Sequence, residues 1–168
     1  MAEQITCEPL EALNDALCHE EEARLFYQRA SERTQDPSGA KMFADLADTA
    51  AAHIEILEKQ VDTLTNEERW DLPECVFSCE ADVEAPLFPR GREALEQTIR
   101  ENTDDTEAVL FALETVNNTF ELYRKHAMTS EDPMARQLYQ YLADQARTQR
   151  DLLMLTFERS SPRAGWAA

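Results

Sequence analysis

Apolar residues recur every three or four positions in four separate stretches of the chain, which is the spacing of one face of an α-helix. Glu20 and His53 interrupt the apolar pattern at positions that the spacing turns inward, and Arg24 follows Glu20 one turn later. The four stripes are, in chain order, Leu10, Leu13, Leu17, Glu20, Arg24 and Tyr27; Phe43, Leu46, Ala50, His53, Leu57, Val61 (or Gln60) and Leu64; Val109, Leu113, Val116, Phe120 and Tyr123; and Leu138, Leu142, Ala146, Gln149, Leu153 and Phe157.

The second half of the chain repeats the first half, displaced by 96 positions without a gap. Tyr27 falls on Tyr123, and Asp36-Pro37 falls on Asp132-Pro133. Between residues 10–60 and 106–156, twelve of fifty-one aligned pairs are identical. One helical hairpin is therefore used twice, and equivalent inward positions of the two copies should meet near a pseudo-twofold axis.

Helix-start signals divide each copy into two helices. Thr6 and Pro9 suit the start of the first helix, and each Asp-Pro pair supplies a cap and a first helical residue. Residues 66–90 contain three prolines and no sustained period, which suits a long crossover. Residues 91–101 predict a short helical lead-in to the third helix.

We therefore predict an all-α fold: a single domain over residues 1–168 that forms an up-down-down-up four-helix bundle. Its hairpins cover about 8–65 and about 103–158, and its crossover covers about 66–102. The scarcity of glycine, three in 168 residues, agrees with this fold class.

The formal net charge of −18 disfavours binding to nucleic acids or anionic membranes. The first residues carry neither a basic nor an apolar segment, and no apolar run reaches the length of a membrane span. We expect a cytoplasmic protein whose four cysteines are reduced thiols.

The segments 20–27 (EEEARLFY) and 43–53 (FADLADTAAAH) resemble the rubrerythrin branch of the ferritin-like superfamily, and the likeness extends over about 8–158. The resemblance implies a ferritin-like bundle. It also implies a di-iron centre in which each hairpin contributes one Glu on its first helix and a Glu-x-x-His pair on its second.

Only two of those six ligands are present here, Glu20 and His53. The other four family positions hold Ala50, Val116, Ala146 and Gln149. One carboxylate and one imidazole cannot offset the charge of two irons, so we expect the di-iron site to be lost. The rubredoxin module of the family, with its paired Cys-x-x-Cys motifs, is also absent from this sequence.

The two remaining residues permit two interpretations. Arg24, one turn after Glu20, could neutralise the carboxylate as an i,i+4 ion pair, with His53 completing a hydrogen-bonded cluster. Alternatively, Glu20 and His53 hold a single zinc or iron ion. Tyr27 and Tyr123 are expected to be core residues with hydroxyls near the axis, and His19 and His126 to be solvated.

Cys75 and Cys79 are spaced i,i+4 and form a possible thiol site for a metal, a disulfide or oxidant sensing. The simpler interpretation is that they pin the crossover to the bundle, together with Val76 and Phe77. Cys18 lies outside the buried stripe, on a face that also carries Leu25 and Phe26. That apolar face predicts a homodimer or a larger assembly.

The sequence thus favours a non-ferroxidase binding or regulatory scaffold without a confidently assigned cofactor, and its protein partner is unknown. A single-metal protein is one alternative. A second alternative is a rubrerythrin-type oxidoreductase whose site is rebuilt from Asp48, Glu114 or Asp144, and a third is a thiol-based redox sensor.

Overall fold

In the computed structural model, residues 2–79, 83–85, 87, 93, 97 and 106–160 are described, with only the backbone for residues 2–8, 106 and 160. The described residues form five helices and no strand, which confirms the all-α prediction. The helices are α1 (Ala2–Arg33), α2 (Pro37–Glu67), α3 (Glu74–Phe77), α4 (Thr106–Thr129) and α5 (Pro133–Ser160).

The repeated Asp-Pro pairs act as the sequence predicts. Asp36 caps α2, its carboxylate accepting a hydrogen bond from the Gly39 amide at 2.9 Å, and Pro37 is the first residue of that helix. Asp132 accepts from the Met134 amide at 2.8 Å at the equivalent position before α5. The start of α1 differs from the prediction, because its backbone is already helical at Ala2, ahead of Pro9.

The long helices form a four-helix bundle in which α1 packs on α2 and α4, and α5 packs on α4 and α2. The contacts of α1 with α4 join His19 to Thr119 and Phe26 to Phe111. Moving forward along α1 therefore means moving backward along α4, so these two helices are antiparallel. This is the predicted up-down-down-up order of a ferritin-like bundle.

The predicted stripes of α2, α4 and α5 are buried, with Gln60 rather than Val61 on the inward side of α2. In α1 the prediction was wrong at Arg24, which is exposed. Leu10 and Leu17 are only half-buried, while Ala16 and Ala23 lie in the core. The core of α1 thus steps through alanines, which lets neighbouring helices approach closely.

The crossover is attached to the bundle by side chains that bond to its backbone. Gln60 donates to the Asp71 carbonyl and accepts from the Asp71 amide, both at 2.8 Å. Farther along the crossover, three arginine side chains donate hydrogen bonds to the backbone carbonyls of every second residue. These bonds join Arg124 to Val83, Arg147 to Ala85 and Arg150 to Leu87.

The single turn α3 anchors the middle of the crossover. Val76 is fully buried, and its carbonyl accepts a hydrogen bond from Gln137 of α5 at 2.8 Å. Of the four residues expected to pin the crossover, Val76 is buried and Cys79 is half-buried, whereas Cys75 and Phe77 are exposed, so the expectation was wrong for those two. In a single helical turn only one side chain can point directly into the bundle, and the Cys75 sulfur reaches α5 only at the rim. The predicted lead-in helix at 91–101 falls largely outside the described residues.

Candidate functional site

Glu20 and His53 meet in the interior of the bundle, as predicted from their helical stripes. Each residue is 2 % exposed, and Glu20 Oε1 lies 3.3 Å from His53 Nδ1. An ionised carboxylate can only accept hydrogen bonds, so Nδ1 carries the shared hydrogen when Glu20 is charged. The contact joins α1 to α2 within the first hairpin.

Tyr123 of α4 is the third member of this cluster. Its hydroxyl donates to Glu20 Oε1 at 2.6 Å, the short distance typical of a hydrogen bond to a charged acceptor. Burial, the charge of Glu20 and this hydrogen bond raise the pKa of Tyr123 well above its ordinary value. The phenol therefore stays neutral and acts as a donor to the carboxylate.

Arg24 does not take part in the cluster. Its side chain is exposed, whereas Glu20 is buried, and the described residues show no ion pair between them. A residue four positions later on a helix is turned by about 40° from the first. That rotation moves Arg24 to the edge of the inward face, so the predicted Glu20–Arg24 pair is wrong.

The remaining family ligand positions are occupied by tightly packed side chains. Ala50 is 1 % exposed, and both Val116 and Ala146 are 0 % exposed. Gln149, at the position where the family has its second His, is 6 % exposed. Three of the four positions thus offer only aliphatic carbon to the interior, which is unsuited to binding a cation.

The pseudo-twofold symmetry explains a polar atom that has no partner. Tyr27 is the repeat equivalent of Tyr123, and Val116 is the repeat equivalent of Glu20. The Tyr27 hydroxyl is buried without a hydrogen-bond partner in the structure. Burial, followed by the charge of Glu20, raises its pKa. The second copy has lost the carboxylate that would accept from this hydroxyl.

The acidic residues considered for a rebuilt site lie elsewhere. Asp48 and Glu114 are exposed, and Asp144 is half-buried on a flank of α5. Among the described parts of the chain, no group of three or more His, Cys, Asp or Glu side chains is placed to hold a metal ion. One carboxylate and one imidazole at the six family positions are too few charged donors to fit two irons.

His19 and His126 were expected to be solvated, but both are half-buried. His19 Nε2 bonds to Thr119 Oγ1 across the α1–α4 contact, and burial lowers its pKa. The His126 ring lies 5.1 Å from the ring of Tyr139, centroid to centroid, and burial lowers its pKa too. In both histidines burial thus outweighs the nearby carboxylates, which act to raise the pKa.

The thiol pair is remote from the bundle centre. Cys75 Sγ lies 3.7 Å from the Tyr141 hydroxyl, and Cys79 Sγ lies 3.8 Å from the Gln140 carbonyl oxygen. These α5 residues precede Gln149 by about two helical turns, roughly 12 Å along the axis. Glu20 and His53 are therefore in contact with each other, whereas Cys75 and Cys79 lie at a different site on the bundle.

Sequence reasoning missed Tyr123 as the partner of Glu20, although both lie on inward stripes. The signal was available in the repeat, because an antiparallel α1–α4 pair brings the tyrosine of one copy towards the first-helix carboxylate of the other. Whether Tyr123 reaches Glu20 depends on how α1 and α4 are aligned along their axes, and the sequence pattern of either helix alone does not determine that alignment.

Comparison with known proteins agrees with this architecture. A family model described as Rubrerythrin matches residues 11–145, which include α2, α3, α4 and most of α1. Searches of the curated proteins and of the solved structures give no significant match. No helix in the described ranges is both long enough and apolar enough to cross a membrane. Because the family model matches most of the chain and the matched residues form the helical bundle, the chain belongs to the rubrerythrin family.

Proposed function

We propose that this chain is a binding or regulatory scaffold of the rubrerythrin family that does not catalyse di-iron chemistry. One observation carries the proposal: the remaining carboxylate, Glu20, is satisfied internally by Tyr123 and His53. Three of the other ligand positions are filled by buried aliphatic side chains. The polar cluster therefore serves the packing of three helices against each other.

Charge balance supports this reading. Two divalent cations held close together require several anionic oxygens, and the family supplies four carboxylates around them. Here the described residues at and around the family ligand positions offer one carboxylate and one imidazole, from Glu20 and His53. The Gln149 amide and the phenols of Tyr27 and Tyr123 are the neutral polar groups nearby. Such a set leaves most of the charge of two irons uncompensated, so neither peroxide reduction nor iron oxidation by the family mechanism is expected.

Metal analysis tests the proposal directly. The purified chain, incubated without oxygen with excess ferrous iron and then desalted, should retain far less than about one iron per chain. A retained content of about two irons per chain, lost in Glu20→Ala, would overturn the scaffold proposal in favour of a rubrerythrin-type oxidoreductase.

A single bound ion is the second candidate, favoured by one distance. Two donors bound at about 2.0–2.2 Å to the same tetrahedral ion lie roughly 3.3 Å apart. The separation of Glu20 Oε1 and His53 Nδ1 is 3.3 Å, so both atoms could face one zinc or iron ion in place of their hydrogen. The Tyr123 hydroxyl, which donates to the same Oε1 atom, would then share that oxygen with the ion or lose its hydrogen bond.

The same metal analysis separates the two candidates when it includes variants. If one zinc is bound per chain, His53→Ala should lose it, while His126→Ala, which alters a histidine of the second hairpin, should keep it. Equal zinc contents in the wild type and His53→Ala would exclude the single-ion site.

The proposal extends to assembly and location. An outer face of α1 and α4 exposes Leu25 and Phe111, 47 % and 53 % accessible, with the Phe26 ring 4.4 Å from Phe111. We propose that this face joins two copies in a cytoplasmic homodimer. Light scattering should give twice the chain mass of 19.2 kDa, and Phe111→Glu should reduce it to a single chain.

A further inference from the structure

Two thiols lie within one turn of the crossover and face the same neighbour. Cys75 is the second residue of α3 and is exposed, and Cys79 follows the end of that helix and is half-buried. The two sulfurs lie against Tyr141 and Gln140, which are adjacent residues of α5. Both thiols therefore project to the same side of the turn.

The spacing brings the thiols close to the geometry of a disulfide. On a continuous helix, Cβ atoms four positions apart lie about 5–6 Å from each other, whereas a disulfide requires about 3.5–4.5 Å. Cys79 lies two residues beyond the end of α3, so its Cβ is not fixed at the helical distance from that of Cys75. The pair can therefore close by a movement of Cys79.

The structure allows that movement at one end of the turn. α3 ends at Phe77, so Cys79 is outside the helix. Gln137 bonds to the Cys79 carbonyl at 3.4 Å but to the Val76 carbonyl at 2.8 Å. Val76 is also fully buried. The turn is thus fixed at Val76, and a shift of Cys79 leaves the main anchor of the crossover in place.

We propose that Cys75 and Cys79 are a thiol oxidation site, at which a hydroperoxide converts the pair into a reversible intramolecular disulfide. The site is separate from the bundle centre, and it requires no metal there. Its substrate class is a small hydroperoxide that reaches the exposed sulfur of Cys75.

The chemistry balances with that single oxidant. The Cys75 thiolate attacks the terminal peroxide oxygen, the O–O bond breaks, and an alcohol or water leaves with the thiol proton. The Cys79 sulfur then attacks the Cys75 sulfenic sulfur, the S–O bond breaks, and water leaves. Two thiols lose two electrons in total, and the hydroperoxide gains them. An external dithiol restores the pair by thiol–disulfide exchange.

The remaining cysteines lack this arrangement. Cys18 is exposed, and its sulfur lies 4.0 Å from the Glu22 carboxylate, with no second thiol beside it among the described side chains. Cys7 lies on the same helix, eleven residues earlier, which is about 16 Å along the axis. An internal disulfide between Cys7 and Cys18 is therefore out of reach.

Mass spectrometry of the full, reduced chain tests the site. After brief exposure to a small excess of hydrogen peroxide and alkylation, the peptide that carries both cysteines should be about 2 Da lighter and carry no alkyl groups. Dithiothreitol should restore two alkylatable thiols. Cys75→Ser and Cys79→Ser should each abolish the disulfide, whereas Cys18→Ser should leave it unchanged.

Other outcomes overturn the inference. Oxidation that stops at a sulfinic acid on Cys75 while Cys79 remains alkylatable would show that the turn does not close. Disulfides found only between chains would show the same. Far-ultraviolet circular dichroism of each variant verifies that the helices are intact. Because no metal is involved, the result is independent of the iron measurements above.

Discussion

Replacement of Tyr123 by phenylalanine is expected to lower the free energy of unfolding by about 1.5–3 kcal/mol, the usual contribution of a hydrogen bond to a charged group. The Tyr123 hydroxyl donates to Glu20 at 2.6 Å in an interior where the carboxylate is 2 % exposed. Among the described residues, removing the donor leaves His53 as the remaining side chain that hydrogen-bonds to Oε1. Urea denaturation monitored by circular dichroism gives the change.

The matched control is Tyr27→Phe, the same substitution at the equivalent position of the first copy. Tyr27 is 1 % exposed and its hydroxyl has no partner in the structure. Removing an unsatisfied buried hydroxyl should leave stability unchanged or raise it by about 1 kcal/mol. An equal loss of unfolding free energy in Tyr123→Phe and Tyr27→Phe would contradict the proposed difference between the two tyrosines. It would mean that the Tyr27 hydroxyl also has an acceptor, such as a buried water.

The largest effect is expected when the four missing ligands are restored together. A variant carrying Ala50→Glu, Val116→Glu, Ala146→Glu and Gln149→His completes the family pattern around Glu20 and His53. It should bind about two irons per chain, whereas the wild type is expected to retain far less than about one. Iron content after anaerobic loading and desalting measures the difference.

The restored variant should also depend on metal for its stability. Without iron, three added carboxylates are buried close to Glu20 with few compensating charges, so the free energy of unfolding should fall by more than about 3 kcal/mol. Iron binding should reverse much of that loss.

The control for this experiment is the same variant with His53→Ala, which should hold fewer irons and recover less stability. A folded variant that binds no iron would show that the backbone has also moved away from the family geometry. Loss of the ligands would then be only part of the change.

Much of the architecture was predictable because it depends on periodicity. The inward stripes of α2, α4 and α5 follow from three- and four-residue spacing, and the repeat doubles the evidence for each hairpin. The Asp-Pro caps were predictable for a local reason, since a capping carboxylate needs only the next turn of its own helix. Glu20 and His53 were found by the same reasoning.

The predictions that failed required knowledge of packing between elements. Whether Leu17 or Ala16 faces the core depends on how close α1 lies to its neighbours, and this choice also decides the position of Arg24. His19 is half-buried because Thr119 of another helix bonds to it. The direction of Cys75 and Phe77 depends on a single turn, which is too short to show a period.

The attachment of the crossover has a consequence for how this chain can vary. Arg124, Arg147 and Arg150 bond to the carbonyl oxygens of Val83, Ala85 and Leu87, and every amino acid possesses such an oxygen. These three hydrogen bonds therefore do not depend on which side chains those positions carry, although Leu87 is also buried. Related chains should therefore retain the three arginines long after the sequence they hold has become unrecognisable.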